Sequence, residues 1–344
     1  GFSLPRAAIA EVWDTQAFAS LIKKTGRDAT ADPNLLADTF SDAQFARVRT
    51  AVLAACDADD GVADGMTANW AACTWTKVRP RLLEQVCTTS PECLSKAQVD
   101  VIGRVYQGAK DSKGNALYSD WPLDAGVGSP DWRAWKIGST KGGPMGGPGP
   151  SPSINVAMGA PALAAIFTTP PTALGTELSS AYNYALKFDF DRDAAKVTAT
   201  DAKFPKSAWE DIAARSADLA GFRARGGKMI VSHGVSDPVF SFNDTATWFR
   251  EVDGKNGGNA AQFVRVFGVP GMSHCAGGPS PDRFNAFDAL VDWVEKGKAP
   301  DRIVATAGPN SPWPQRTRPL CPLPKVARYD GKGDIELAES FRCE

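Results

Sequence analysis

The 344-residue sequence predicts an α/β fold, with a helical, loop-rich first part and an alternation of strands and helices after about residue 218. Two short apolar runs predict the sheet, Lys228-Met-Ile-Val-Ser232 and Gln262-Phe-Val-Arg-Val-Phe267. Each has the length of a buried strand, and the helix-length segment between them is the spacing of a parallel strand–helix–strand unit.

Along the chain, Pro5 sits well in the first turn of a helix through Ala7 to Lys23, because proline fixes φ and its missing N–H is unpaired there anyway. Ser41-Asp-Ala-Gln44 and Ser95-Lys-Ala-Gln98 read as capping boxes, each Ser accepting from an orphan amide while Gln reaches back. From about Asp120 to Pro171 the chain is rich in Gly, Pro and Trp, including the run at 141–150, and reads as irregular loop or lid. After the first strand comes a turn carrying Asp237, then a helix near Asp244 to Val252. After the second comes a loop carrying His274, then a helix from Asp282 to Lys296 stopped by Gly297. This order is that of the closing half of an α/β-hydrolase sheet, with both loops leaving the carboxyl edge where such folds place ligands.

Composition narrows the function classes. A net charge of −1, with 43% hydrophobic and 22% charged residues, implies no nucleic-acid or polyanion partner. No run of about 18 apolar residues occurs, so no membrane-spanning helix is expected. The first residues, Gly-Phe-Ser-Leu-Pro-Arg, show neither a start Met nor a signal pattern, which suggests a terminus made by cleavage or processing. Six of the seven cysteines fall into local pairs, Cys56 with Cys73, Cys87 with Cys93, and Cys321 with Cys343. Such pairs suit disulfides in a secreted or periplasmic protein, the alternative being buried free thiols. Cys275 is left over beside His274.

Asp237 and His274 are two-thirds of a hydrolase triad. A serine hydroxyl is a poor nucleophile until an imidazole takes its proton, and the imidazole needs a carboxylate to fix its tautomer. No Gly-x-Ser-x-Gly elbow occurs in the sequence. His233, the other histidine, ends an apolar strand and reads as structural. The segment Cys56-Asp-Ala-Asp-Asp-Gly-Val-Ala-Asp-Gly-Met66 packs four carboxylates into eleven residues, a density that favours a calcium loop over a solvated acidic turn. It is no EF-hand, since Gly61 and Ala68 fall where that loop needs ligands.

Together, the opening Gly-Phe-Ser-Leu-Pro-Arg, Cys-Asp-x-x-Asp-Gly-Val-x-Asp-Gly at 56–65, His-Gly-x-x-Asp at 233–237 and Gly-x-x-His-Cys at 271–275 resemble the tannase and feruloyl esterase family over nearly the whole chain. The resemblance implies a serine esterase in which Asp237 orients His274, and calcium held by Asp57, Asp60 and Asp64 side chains and the Val62 and Met66 carbonyls. It also implies a lid at residues 1–217 and the C-terminal part of the catalytic domain at 218–344. The family's nucleophile lies in Gly-Cys-Ser-x-Gly-Gly, whose cysteine bonds the one after the catalytic histidine; Cys275 therefore corresponds to half of that disulfide. The serine and its oxyanion-hole amide are absent here, so an N-terminal segment bearing them is expected, and the 344 residues alone are expected to be inactive.

An aromatic acyl group is the expected substrate, with Phe240, Trp132 and Trp135 as pocket candidates. No arginine occurs between Arg133 and Arg192, so a terephthalate monoester has weaker support than a feruloyl, galloyl or related phenolic ester. A second class stays open: a calcium-stabilised binding or structural module without catalysis.

Overall fold

Helix α1 (Leu4–Lys24) is buried on nearly every face, the mark of a helix at the centre of its layer. The computed structural model describes residues 2–30, 32–142 and 149–344, so most of the Gly/Pro run at 141–150 lies outside the described residues. Pro5 stands in the first turn of α1. Around α1 pack α4 (Lys96–Tyr106), α6 (Ala160–Ala165) and α7 (Leu178–Lys187), while α2 (Asp42–Cys56) pairs with α3 (Trp75–Glu84). Both expected capping boxes form, Ser41 with Gln44 and Ser95 with Gln98, and a third, Ser207 with Glu210, starts α8 (Ala208–Ile212).

The stretch 120–171 is more ordered than its composition suggests. It contains α5 (Pro130–Lys136), a π-helical turn at Asn155–Gly159 and α6, and its described residues form no strand beyond an isolated Ser139–Ser151 bridge. Pro130 initiates rather than breaks α5, because the first turn has no amide to lose, whereas Pro161 follows directly on the π-helical turn that runs into α6.

After α9 (Ala220–Ala224), β1 (Met229–Gly234) runs parallel to β2 (Val264–Val269), Met229 opposite Val264 and Gly234 opposite Val269. The crossover is α10 (Phe242–Lys255), whose Trp248 and Phe249 pack with Phe263, Val264 and Val266. The later helix α11 (Ala286–Lys296) starts four residues after the expected Asp282, at an Asn285 cap, and ends at Gly297 in the left-handed conformation. Two antiparallel pairs close the chain, β3 (Ile303–Thr306) with β4 (Thr317–Leu320) and β5 (Ala327–Tyr329) with β6 (Phe341–Cys343). One apolar core joins residues from Ala7 to Ala208, a second Ala217 to Val266 and a third Phe267 to Leu320. Cys56–Cys73, Cys87–Cys93 and Cys321–Cys343 are disulfides; Cys275 is free and exposed. Among the described residues no helix is long and apolar enough to cross a membrane.

Candidate active site

Asp237 lies three residues past β1, in a loop whose approach to the β2 exit depends on glycine: a Cβ on Gly234 would stand 2.3 Å from the Met272 carbonyl oxygen. The carboxylate is 4% exposed. Its Oδ1 accepts from the backbone amides of Val239 at 2.7 Å and Phe240 at 3.0 Å. Its Oδ2 faces His274 Nδ1 at 3.0 Å and His233 Nε2 at 3.3 Å. Burial alone would push the Asp237 carboxyl up, but the two imidazoles outweigh it and hold the acid below the ordinary carboxylate range.

His274 is fixed on three sides. Its Nδ1 is committed to Asp237, its backbone N–H donates to Asp131 Oδ2 at 3.2 Å, and its ring neighbours Trp135 at 5.4 Å and Phe240 at 5.6 Å between centroids. That leaves Nε2 as the nitrogen for proton transfer, the arrangement a general base requires. The Asp237 bond raises the His274 pKa above the free value of 6.5, against the pull of burial and with help from Asp131.

Phe240 and Trp135 thus stand beside the His274 imidazole. Trp132 does not. It is 3% exposed, edge-on to Phe45 and stacked with Tyr106, so it is a core side chain rather than a substrate contact. One helix holds both tryptophans, and it is pinned from beneath: Lys136 is ion-paired with Asp14 of α1, and Arg133 donates to the Phe40 and Ala37 carbonyls, each at 2.6 Å. Both cations of α5 therefore turn inward, away from the base. Glu11 of α1 is buried nearby, and burial pushes its carboxyl up to about 8.

Sequence reasoning missed Asp124. This buried carboxylate accepts from Ser236 Oγ at 2.8 Å, next to Asp237, and from Gly271 N at 2.6 Å, three residues before His274. It also accepts from Ala125 N at 2.7 Å, while Ser129 and Ser273 hydroxyls meet at 3.0 Å. No local pattern announces it, since Ser236 and Gly271, the partners that join the two loops, are more than 100 residues away.

The acidic loop gathers its own carboxylates. Asp57 accepts from the Asp64, Gly65 and Met66 amides, Asp60 from Val62 N, and Asp64 is paired with Arg318. Asp60 is 2% exposed, and burial together with the charge of Asp64 pushes it up to about 7. Among the described residues no three His, Cys, Asp or Glu side chains have their ligand atoms already gathered on one point. A cavity of about 640 Å³ lined by Trp70, Trp75, Trp121, Asn243, Phe249 and Arg250 lies elsewhere, and neither Asp237 nor His274 borders it.

Fold and site together define an α/β protein with a carboxylate–imidazole pair at the carboxyl edge of a parallel strand pair. Residues 12–344 match the family model "Tannase and feruloyl esterase", and the chain belongs to that family. It is 40% identical to mono(2-hydroxyethyl) terephthalate hydrolase of Piscinibacter sakaiensis, over 100% of this chain and 58% of that protein. It is 28% identical to a probable feruloyl esterase of Arthroderma benhamiae, over 87% of this chain and 52% of that one. The crystal structure of feruloyl esterase B from Aspergillus oryzae superposes with a TM-score of 0.65 at 18% identity, covering 98% of this chain and 62% of that one. The chain thus spans little more than half the length of these curated relatives.

Proposed function

We propose that this chain carries the acid and the general base of a serine-type carboxylic ester hydrolase acting on aromatic esters. The observation that carries the reading is His274 Nδ1 at 3.0 Å from a buried Asp237, with two aromatic rings next to the imidazole. Asp237 fixes the tautomer and stabilises the imidazolium. His274 takes the proton of a serine hydroxyl and later returns it to the leaving alcohol. The serine and its oxyanion-hole amide come from outside these 344 residues, and the 1–217 part serves as a lid over a catalytic domain continued by 218–344.

Phe240 and Trp135 offer the acyl ring apolar contact. Similarity to a terephthalate monoester hydrolase and to feruloyl esterases supports an aromatic acyl group. The inward-turned Arg133 and Lys136 favour a phenolic ester over one with a free carboxylate, which a bidentate arginine would hold. Asp57, Asp60 and Asp64, with the Val62 and Met66 carbonyls, would hold a structural calcium: a buried Asp60 among acidic neighbours is the donor chemistry of a hard-cation site. The three disulfides support a secreted or periplasmic location.

The test is turnover of methyl ferulate, methyl gallate and mono(2-hydroxyethyl) terephthalate by the full-length protein and by its His274→Ala variant. Loss of about 10³-fold or more in kcat is expected. Equal rates in the two proteins would sink the assignment and leave a calcium-stabilised binding module.

A further inference from the structure

We propose that His233 is a positioning residue: by bonding the same Asp237 oxygen as His274, it tempers the basicity of the catalytic imidazole. The proposal rests on the acid–base reading of His274. His233 is the last residue but one of β1, with its side chain 12% exposed and its ring edge-on to Phe242 at 5.6 Å. Its Nδ1 meets Thr245 Oγ1 of α10 at 2.9 Å, and its Nε2 meets Asp237 Oδ2 at 3.3 Å.

The hydrogen-bond chemistry sets the roles. A carboxylate only accepts, so Nε2 must carry the proton; in the neutral ring Nδ1 then accepts, and the Thr245 hydroxyl donates to it. Thr245 therefore selects the tautomer that points an N–H at Asp237. Asp237 Oδ2 is shared between two donors, and what it gives to His233 it cannot give wholly to His274. A second donor also keeps the acid ionised and fixed in place when His274 is neutral. Were His233 charged, its field would act on His274 in the same direction.

The other groups facing the pair do not substitute for this. Asp131, from α5, raises the His274 pKa, as Asp237 does. Glu11, from α1, is itself pushed up by the Asp237 charge, and Lys136 is occupied by Asp14. On its own loop, Asp282 accepts from Gly277 N at 2.9 Å rather than from the imidazole. Among these groups, His233 is the one that draws on the Asp237 oxygen bonded to His274.

The experiment is an NMR titration of the imidazole Cε1–H signals. His233 and His274 are the two histidines of the sequence, so either variant assigns both resonances in this chain. His233→Leu is expected to move the His274 midpoint up by roughly 0.5–1 pH unit. His233→Gln, which keeps an N–H near the Nε2 position, is expected to bring it back most of the way. In the full-length enzyme the acid limb of kcat/KM should move with it. A His274 midpoint that stays put or falls in folded His233→Leu protein would overturn the proposal. If that variant fails to fold, Thr245→Val serves instead, with a smaller upward shift expected and no shift counting against. Because the titration needs no turnover, a failed His274→Ala assay and a failed titration remain separate results.

Discussion

A proton can leave a serine for His274 only while Nε2 is unprotonated, so the bond that orients the ring also sets the pH at which it works. Asp237 raises the imidazole pKa, and the rate should therefore fall as pH drops through a midpoint above the free value of 6.5. A kcat/KM profile whose acid limb lies below 6.5 would contradict the geometry. Glu11 supplies the opposite kind of pH dependence, in stability. Its folded pKa of about 8 stands above the ordinary carboxylate value of 4.5, so protons favour the fold. That contribution is whole below about 4.5 and is lost as pH rises through 8. Glu11→Gln should thus raise Tm by a few degrees at pH 9 and change it little at pH 4.5. Calorimetry at the two pH values decides, and an equal effect at both would refute the burial argument. At this scale Asp237, His274 and Phe240 were legible because each lies within three residues of a strand exit or a paired motif. Trp132 was misread because the face of a two-turn helix set in a Gly/Pro-rich stretch cannot be told from its neighbours. His233 was read as structural because a strand's last residue but one does not show which loop curls back to meet it.

Elements with local signals were equally legible. Capping boxes, the start of α1 and the Gly297 stop of α11 each depend on residues a few positions apart. What local pattern cannot carry is the joint between elements. Asp124 joins the β1 exit loop through Ser236 to the β2 exit loop through Gly271, and thereby sets the distance from Asp237 to His274. Asp124→Ala removes the acceptor of the Ser236 hydroxyl and of two backbone amides, Gly271 and Ala125, at about 1–3 kcal/mol for each group left unpaired. Such a variant should melt lower and, where still folded, lose kcat far more than KM, since the base rather than the binding surface moves. Denaturant melts together with steady-state kinetics on the full-length protein would show this. Unchanged kcat in a folded variant would reduce Asp124 to a structural tie.

Across the whole molecule, the acidic loop and the last strands are bound to each other. Arg318 pairs with Asp64, Arg316 donates to the Asp64 carbonyl, and Arg328 donates to the Asp59 carbonyl at 3.1 Å. A cation in that loop would therefore brace the first core against the chain's end, and EDTA should lower Tm by several degrees without altering kcat of the enzyme that stays folded. Unchanged melting would argue against bound calcium. Cys275 is exposed, takes a left-handed φ of +66°, and adjoins the catalytic base. Six other cysteines are already paired, so an oxidising compartment that formed those bonds would leave this one reactive unless it, too, had a partner. The backbone here is one that non-glycine residues seldom adopt, and a covalent bond to a neighbouring loop would hold it. Such a bond would also fix His274 against whatever carries the nucleophile. In the full-length protein, peptide mapping without reductant is expected to find Cys275 in a disulfide, and mild reduction is expected to lower kcat before the fold is lost. A Cys275 that alkylates fully in active, unreduced enzyme would show that the histidine loop is held without a disulfide.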